Sequence, residues 1–181
     1  CRRFEIPKNI HYIVAKPRMQ KYIDYAADIY GIYLDYMDKR DIYVYSIDES
    51  FIDATDYLQI YGKTPKEYAK MLIEEIARRT HIPATAGIGT NLYLAKIALD
   101  ITAKKCPDRI GYLDERTFRE TLWIHRPLTD FWGIAKGISN RLAKKGIYDM
   151  QGITRCPEEI LYREFGVNAE LIIDHAWGRE S

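Results

Sequence analysis

The sequence predicts an α+β fold: a mixed sheet with packed helices, followed by a small all-helical domain. Segments rich in β-branched and aromatic residues recur up to residue 113, with helical patterns between them. Beyond Asp114 the strand-like segments disappear, and short helical pieces alternate with Gly and Pro. At 181 residues and 47% hydrophobic content, the chain can bury a core in one large or two small domains. We therefore predict domains at 1–113 and 114–181.

The individual elements follow from local patterns. Apolar residues recur at helical spacing over 18–36, and Thr64-Pro65-Lys66-Glu67 is a helix start with a capping box. Thr90 or Asn91 caps a helix over 92–103, whose nearly continuous apolar surface predicts burial. The predicted strands are 11–16, 42–47, 51–55, 84–89 and 109–113. The later helical pieces are 114–123, 129–133, 137–145, 149–153, 157–165 and 167–178.

Composition excludes several classes of protein. The net charge of +1 indicates no partner by itself, although residues 1–21 and 133–146 are locally basic. A basic run is usually only a solvated face. The three cysteines are far apart and lack CxxC spacing, which argues against a zinc site or a disulfide framework and favours a reducing, cytoplasmic compartment. No apolar run approaches the roughly 18 residues that span a membrane, so we expect no membrane partner.

The most informative stretch runs from Tyr43 to Asp53, where two apolar alternating segments flank an acidic pair. This pattern predicts a hairpin with Asp48 and Glu49 at or near its tip. Crowded carboxylates need a cation or a basic partner, and Mg²⁺ prefers such oxygens. The alternative is an ordinary exposed turn.

The second motif covers 87–100, where a short strand, a glycine turn and a helix start suit an anion. Lys96 lies on the predicted buried helix, where an unpaired charge is costly. It either forms an ion pair with Asp100, four residues on, or lies near a bound phosphate.

The third motif covers 131–147, a short helix, a turn with glycine and a basic helix. It indicates a helix-hairpin-helix, which turns backbone N–H groups toward a DNA phosphate, or else an ordinary helical corner. The candidate DNA-binding residues are Gly133, Ile134, Ala135, Lys136, Ser139 and Arg141.

Together these motifs resemble the Y-family (translesion, UmuC/DinB-type) DNA polymerases, in particular the UmuC-like branch. Tyr-Ser-Ile-Asp-Glu-Ser-Phe-Ile-Asp at 45–53 is similar to the metal-binding motif of the palm domain, and 87–100 is similar to G-I-x-x-N-K-x-L-A-K-x-A-x-D. Two departures stand out. Leu92 replaces the first lysine of the second motif, and Ala135 replaces a glycine of the usual thumb hairpin.

The resemblance implies a palm over 1–113 and a thumb with the start of a linker over 114–181. It implies template-directed nucleotidyl transfer to a primer 3′-hydroxyl in DNA damage tolerance, with two Mg²⁺ ions. Asp48 would bridge both ions, Glu49 would bind the ion at the primer hydroxyl, and Lys96 would help neutralise the triphosphate. The expected partners are primer–template DNA and deoxynucleoside triphosphates, with a sliding clamp through parts outside these residues.

The family's first palm strand, which carries a further metal-binding Asp, has no counterpart before residue 43. Most of the fingers and the little finger have none either. We therefore expect a fragment that folds but cannot polymerise, because two carboxylates alone should bind Mg²⁺ poorly. The rival hypotheses are a non-enzymatic DNA-binding module, a degenerate polymerase that recruits partners, and another two-metal palm enzyme such as a cyclase.

Overall fold

The structure is a computed structural model that describes residues 5–7 and 9–180. The part up to residue 113 carries the short strands and the two longest of the described helices, and only helical segments follow the last strand. The strands are β1 (Ile42–Val44), β2 (Ser50–Ile52), β3 (Ala86–Gly89) and β4 (Ile110–Leu113). The helices of the first half are α1 (Met19–Leu34), α2 (Thr55–Tyr61), α3 (Pro65–Thr80) and α4 (Leu92–Ile97). The later helices are α5 (Glu115–Leu122), α6 (Lys136–Ala143), α7 (Met150–Arg155), α8 (Glu158–Phe165) and α9 (Asn168–Trp177).

The α+β class is confirmed, but the strands form two separate two-stranded sheets rather than one mixed sheet. β1 and β2 are antiparallel, with Tyr43 opposite Phe51. β3 and β4 are parallel, with Gly87 opposite Gly111. Among the described residues no strand joins β2 to β3, so each of these two strands keeps one edge without a strand partner.

The predicted strand over 11–16 is wrong: the structure assigns none there, and the side chain of Ile13 is 95% exposed. A segment of alternating apolar residues forms a strand only where it can pair with the edge of a sheet or pack on a core. No described strand pairs with residues 11–16. The predicted strand over 51–55 ends at Ile52, and α2, which the pattern did not predict, begins at Thr55.

Local capping chemistry explains the helix starts. Thr64 and Glu67 form the predicted capping box at the first turn of α3, since the Thr64 hydroxyl accepts from Glu67 N–H and the Glu67 carboxylate accepts from Thr64 N–H. Asn91, rather than Thr90, caps α4 by accepting a hydrogen bond from Leu94 N–H. The helical ladder then continues past α4 as a π-helical turn, Ala98–Thr102.

One large core joins α4 to the helices that follow β4. Tyr93 packs edge-on against Phe118, and Phe118 packs in the same way against Phe131. A smaller cluster around Ile42, Tyr68 and Leu72 holds the β1–β2 hairpin against α3. The large core therefore crosses residue 113, and the predicted domain boundary there stays a prediction.

None of the helices in the described part of the chain is long and apolar enough to cross a bilayer.

Candidate active site

The acidic pair lies at the tip of the β1–β2 hairpin, as the sequence predicts. The backbone N–H groups of Tyr45 and Ser46 both donate to the carbonyl oxygen of Glu49, which closes the turn. Asp48 is exposed, and its Oδ1 accepts a hydrogen bond from Ser46 Oγ at 2.9 Å. Glu49 is half-buried. The two carboxylates therefore have different surroundings, one facing solvent and one facing the body of the protein.

Lys96 faces Glu49 from α4. Its Nζ donates to Glu49 Oε1 at 2.8 Å and lies 3.1 Å from Asp100 Oδ2. Only 9% of the Lys96 side chain is exposed. Burial by itself lowers the pKa of this ammonium, but the hydrogen bonds to Glu49 and Asp100 outweigh burial and leave the pKa above its usual value. The intrahelical pair considered from the sequence exists, and a second pair joins the helix to the hairpin.

Three glycines allow α4 and the π-helical turn that continues it to pack closely on the β3–β4 sheet. A methyl group at Gly87 would overlap the carbonyl oxygen of Ala95, and one at Gly89 would overlap the backbone nitrogen of the same residue. A methyl group at Gly111 would overlap the carbonyl oxygen of Ala98. Helix and sheet therefore meet backbone to backbone, since only glycine leaves room for that approach. This close packing of helix on sheet places Lys96 within hydrogen-bonding distance of Glu49 at the hairpin tip.

A groove of about 600 Å³ separates the hairpin from β3 and α4. Glu49 and Lys96 meet at it, and β2 and β3 line it along with apolar side chains from α3. Because no backbone hydrogen bonds between strands cross this groove in the described structure, side-chain contacts set the distance between its two walls.

Trp132 provides a further contact to the hairpin that the sequence did not reveal. Its Nε1 donates to the hydroxyl of Tyr45 at 3.1 Å, and its ring packs edge-on against the Tyr45 ring. Trp132 also stacks at 6.4 Å on the buried His175, which stacks on Tyr93 at 3.8 Å. The only hint in the sequence was the presence of a tryptophan inside the third motif. The two residues are 87 positions apart, and no local pattern predicts a contact over that separation.

The candidate DNA-binding segment has a 3₁₀ turn, Leu128–Asp130, a loop and then α6. Gly133 has φ +88°, a backbone conformation that favours glycine. The Ile134 side chain is buried, and its N–H already donates to the carbonyl oxygen of Phe131 at 3.1 Å. Gly133, Ala135 and Lys136 are exposed.

Ser139 and Arg141 differ from the rest of this predicted set. Ser139 is half-buried and donates its N–H to the carbonyl oxygen of Ala135. The guanidinium of Arg141 donates to Glu164 Oε1 at 2.7 Å, and Lys145 lies 2.9 Å from the same carboxylate. These two cations hold the pKa of Glu164 down, to about 2. Two cations of the basic run thus share one glutamate as their ion-pair partner.

The described residues do not complete a metal centre. Among them no three His, Cys, Asp or Glu side chains stand close enough together to hold an ion. Asp48 and Glu49 contribute two carboxylates of the chemistry that Mg²⁺ prefers, and one of these is bound to Lys96.

With this geometry established, comparison with known proteins decides the family. Residues 1–100 match the impB/mucB/samB family. The chain belongs to this family. UvrX of Bacillus subtilis (strain 168), named for repair of UV damage, is 32% identical over 98% of the chain and 41% of its own length. DNA polymerase IV 2 of the same organism is 34% identical over 88% of the chain and 38% of its own length.

Structural comparison agrees with the impB/mucB/samB assignment. The crystal structure of a DinB family error-prone DNA polymerase from Sulfolobus solfataricus matches with a TM-score of 0.76 and 25% identity, over 93% of this chain and 49% of that one. The Y-family resemblance of the motifs is thereby confirmed, while the UmuC-like branch stays a prediction. The chain spans about two fifths of the length of the curated relatives named above.

Proposed function

We propose that the full-length protein is a translesion DNA-directed DNA polymerase and that this chain supplies part of its nucleotide-transfer site. The observation that carries the proposal is the approach of the Asp48–Glu49 tip to Lys96 across the groove, with Glu49 Oε1 2.8 Å from Lys96 Nζ. Two carboxylates and a buried ammonium beside one groove suit nucleotidyl transfer. The carboxylates can hold divalent cations, and the lysine can offset the charge of the phosphates.

Lys96 is suited to neutralise the triphosphate of an incoming deoxynucleoside triphosphate. It is fully charged, since its pKa is raised. The aliphatic part of its side chain is buried, which limits the positions that the ammonium can reach. A lysine held in this way loses little further freedom when it binds phosphate.

Asp48 and Glu49 are proposed to contribute to a divalent-cation site, with Mg²⁺ as the expected ion. A third carboxylate is needed, and the groove between β2 and β3 offers a place for it. Each strand presents an edge with no strand partner in the described structure, so an extended segment from outside these 181 residues could pair there. Such a segment would complete both the sheet and the ligand set.

The helical part is proposed to hold the backbone of primer–template DNA. At the start of α6 the N–H groups of Lys136, Gly137 and Ile138 have no described backbone acceptor, and no side chain caps the helix. Free N–H groups and the helix dipole favour a phosphate there. Lys136 belongs to the predicted DNA-binding set, whereas Gly137 and Ile138 lie later in the chain than the predicted turn, Gly133–Ala135. A sliding clamp stays a proposed partner through other parts of the protein.

Primer extension by the full-length protein tests the proposal. Wild type should extend a primer with Mg²⁺ and deoxynucleoside triphosphates, whereas Asp48→Asn and Glu49→Gln should each reduce extension by at least about a hundredfold, as loss of a metal ligand does. Asp56→Asn, an exposed acid on α2, is the matched control and should retain wild-type activity. The 181-residue chain by itself should not extend the primer.

A different result would favour one of the rivals. Full biological activity with Asp48→Asn would indicate a DNA-binding module for which the acidic tip is irrelevant. Extension by the isolated chain near the full-length rate would show that no further carboxylate is required.

A further inference from the structure

Lys96 has two acidic partners that come from different parts of the fold. Glu49 belongs to the hairpin tip, and Asp100 belongs to the helical segment of Lys96 itself. The side chains of both acids are 30% exposed, so burial does not make either one the stronger partner of Lys96. Their roles in the proposed site nevertheless differ: Glu49 is a candidate cation ligand, whereas Asp100 belongs to no proposed ligand set.

The backbone around Asp100 is unusual. Asp100 lies in the π-helical turn Ala98–Thr102, which begins two residues after Lys96. Single π turns within helices are rare and are frequent at functional sites. This turn also rests directly on β4, because a methyl group at Gly111 would overlap the Ala98 carbonyl oxygen and crowd Ala103. The position of Asp100 is therefore set by the sheet as well as by the helix.

Stability alone gives a weak reason for this arrangement. A Lys four residues before an Asp is the less favourable order for an ion pair within a helix, and such pairs contribute little to stability even when well arranged. A lysine whose side chain is nine-tenths buried does need a partner. Glu49 would be a weaker partner for the ammonium while it binds a cation, because that ion would take up part of the carboxylate's charge and at least one of its acceptor sites.

We propose that Asp100 is a positioning residue that holds the Lys96 ammonium at the hairpin tip, so that Lys96 meets the nucleotide triphosphate in one fixed orientation. The inference rests on the proposed function and adds Asp100 to it. Glu49 is then free to bind a cation without leaving Lys96 unpartnered.

The test measures nucleotide binding to the full-length protein on a primer that ends in a dideoxynucleotide, so that no bond forms. Asp100→Asn should weaken the binding of the correct deoxynucleoside triphosphate by roughly three- to tenfold, the range expected of one coupled contact. Binding of the primer–template itself should not change. Asp100→Glu, which keeps the charge, should restore most of the affinity. Asp108→Asn removes an exposed ion pair with Lys66 elsewhere and is the matched control.

The Lys96→Gln background separates positioning from structure. There, Asp100→Asn should cause no further loss of nucleotide affinity, because its effect passes through the lysine. If Lys96→Gln weakens binding and Asp100→Asn does not, Asp100 is only a helix ion pair and this inference is overturned while the proposed function stands. If Lys96→Gln changes nothing, the proposed role of Lys96 fails as well. Should Asp100→Asn not fold, Asp100→Ser gives a second neutral variant for the same comparison.

Discussion

The ammonium of Lys96 lies 2.8 Å from Glu49 Oε1, and 47 residues of chain separate the two. This ion pair joins α4 to the hairpin tip across the groove between the two sheets. It places the two parts of the family signature in contact and sets how far apart the walls of the groove stand.

The ion pair between Lys96 and Glu49 should contribute measurably to the free energy of unfolding. In urea unfolding of the chain, a double-mutant cycle of Glu49→Gln and Lys96→Met should give a coupling energy of about 1 to 3 kcal/mol, because Lys96 is buried. The Lys66–Asp108 pair is well exposed and should give at most about 1 kcal/mol in the same experiment. Equal coupling in both cycles would show that the Lys96 pair is not screened from water.

The glycine contacts under α4 predict a second stability effect. Gly111→Ala should lower the free energy of unfolding by about 2 kcal/mol or more, because its methyl group meets backbone that cannot move aside. Gly31→Ala is the control: it lies within α1 with nothing within 4 Å of the new methyl group, and it should stabilise by up to about 1 kcal/mol. If both variants behave alike, helix and sheet do not meet closely.

His175 predicts the pH dependence of stability. Burial lowers the pKa of this imidazole below its ordinary 6.5, despite the opposing effect of Glu180. At this imidazole the unfolded chain therefore binds more protons than the folded chain once the pH falls to about 6.5 and below. Its contribution to stability is present above pH 6.5 and is lost as the pH falls through the lowered pKa. Urea midpoints should fall between pH 7.5 and 5.5, and His175→Phe, which keeps the ring contact with Tyr93, should reduce that fall. An unchanged pH dependence in His175→Phe would contradict the assignment.

The contact between Tyr45 and Trp132 predicts a spectroscopic effect. Tyr45→Phe removes the oxygen that accepts from Trp132 Nε1 and should cost about 0.5 to 1.5 kcal/mol of stability, with a shift of tryptophan emission. Tyr43→Phe, two residues earlier on β1 and mostly exposed, should change neither quantity. Identical spectra for wild type and Tyr45→Phe would mean that the hydrogen bond does not form in solution.

Glu164 predicts an effect on DNA binding. It forms ion pairs with both Arg141 and Lys145, so Glu164→Gln should free both for phosphates and tighten duplex binding by the full-length protein. A plot of the logarithm of affinity against the logarithm of salt concentration should then become steeper. Each new phosphate contact adds roughly 0.9 to the slope, so one or two contacts should add about 1 to 2. Glu159→Gln, on the exposed part of α8, is the control for loss of one negative charge. Weaker binding by Glu164→Gln would show that the glutamate orients Arg141 for DNA.

The sequence was sufficient for features that depend on neighbours in the chain. The start of α3 follows from Thr64 and Glu67, and the hairpin with its acidic tip follows from alternation around Asp48. These depend on hydrogen bonds and side-chain periodicity within a few residues, which the order of amino acids determines directly. The motifs at 45–53 and 87–100 were likewise enough to indicate the family.

Only the tertiary structure decided which distant groups meet. The apolar alternation at 11–16 did not yield a strand, because no described strand lies beside it to pair with. That Lys96 bonds Glu49 as well as Asp100, and that Trp132 bonds Tyr45, depends on how closely α4 rests on three glycines and on how the chain turns at Gly133. Such contacts arise from packing summed over the whole core, and no local pattern records them.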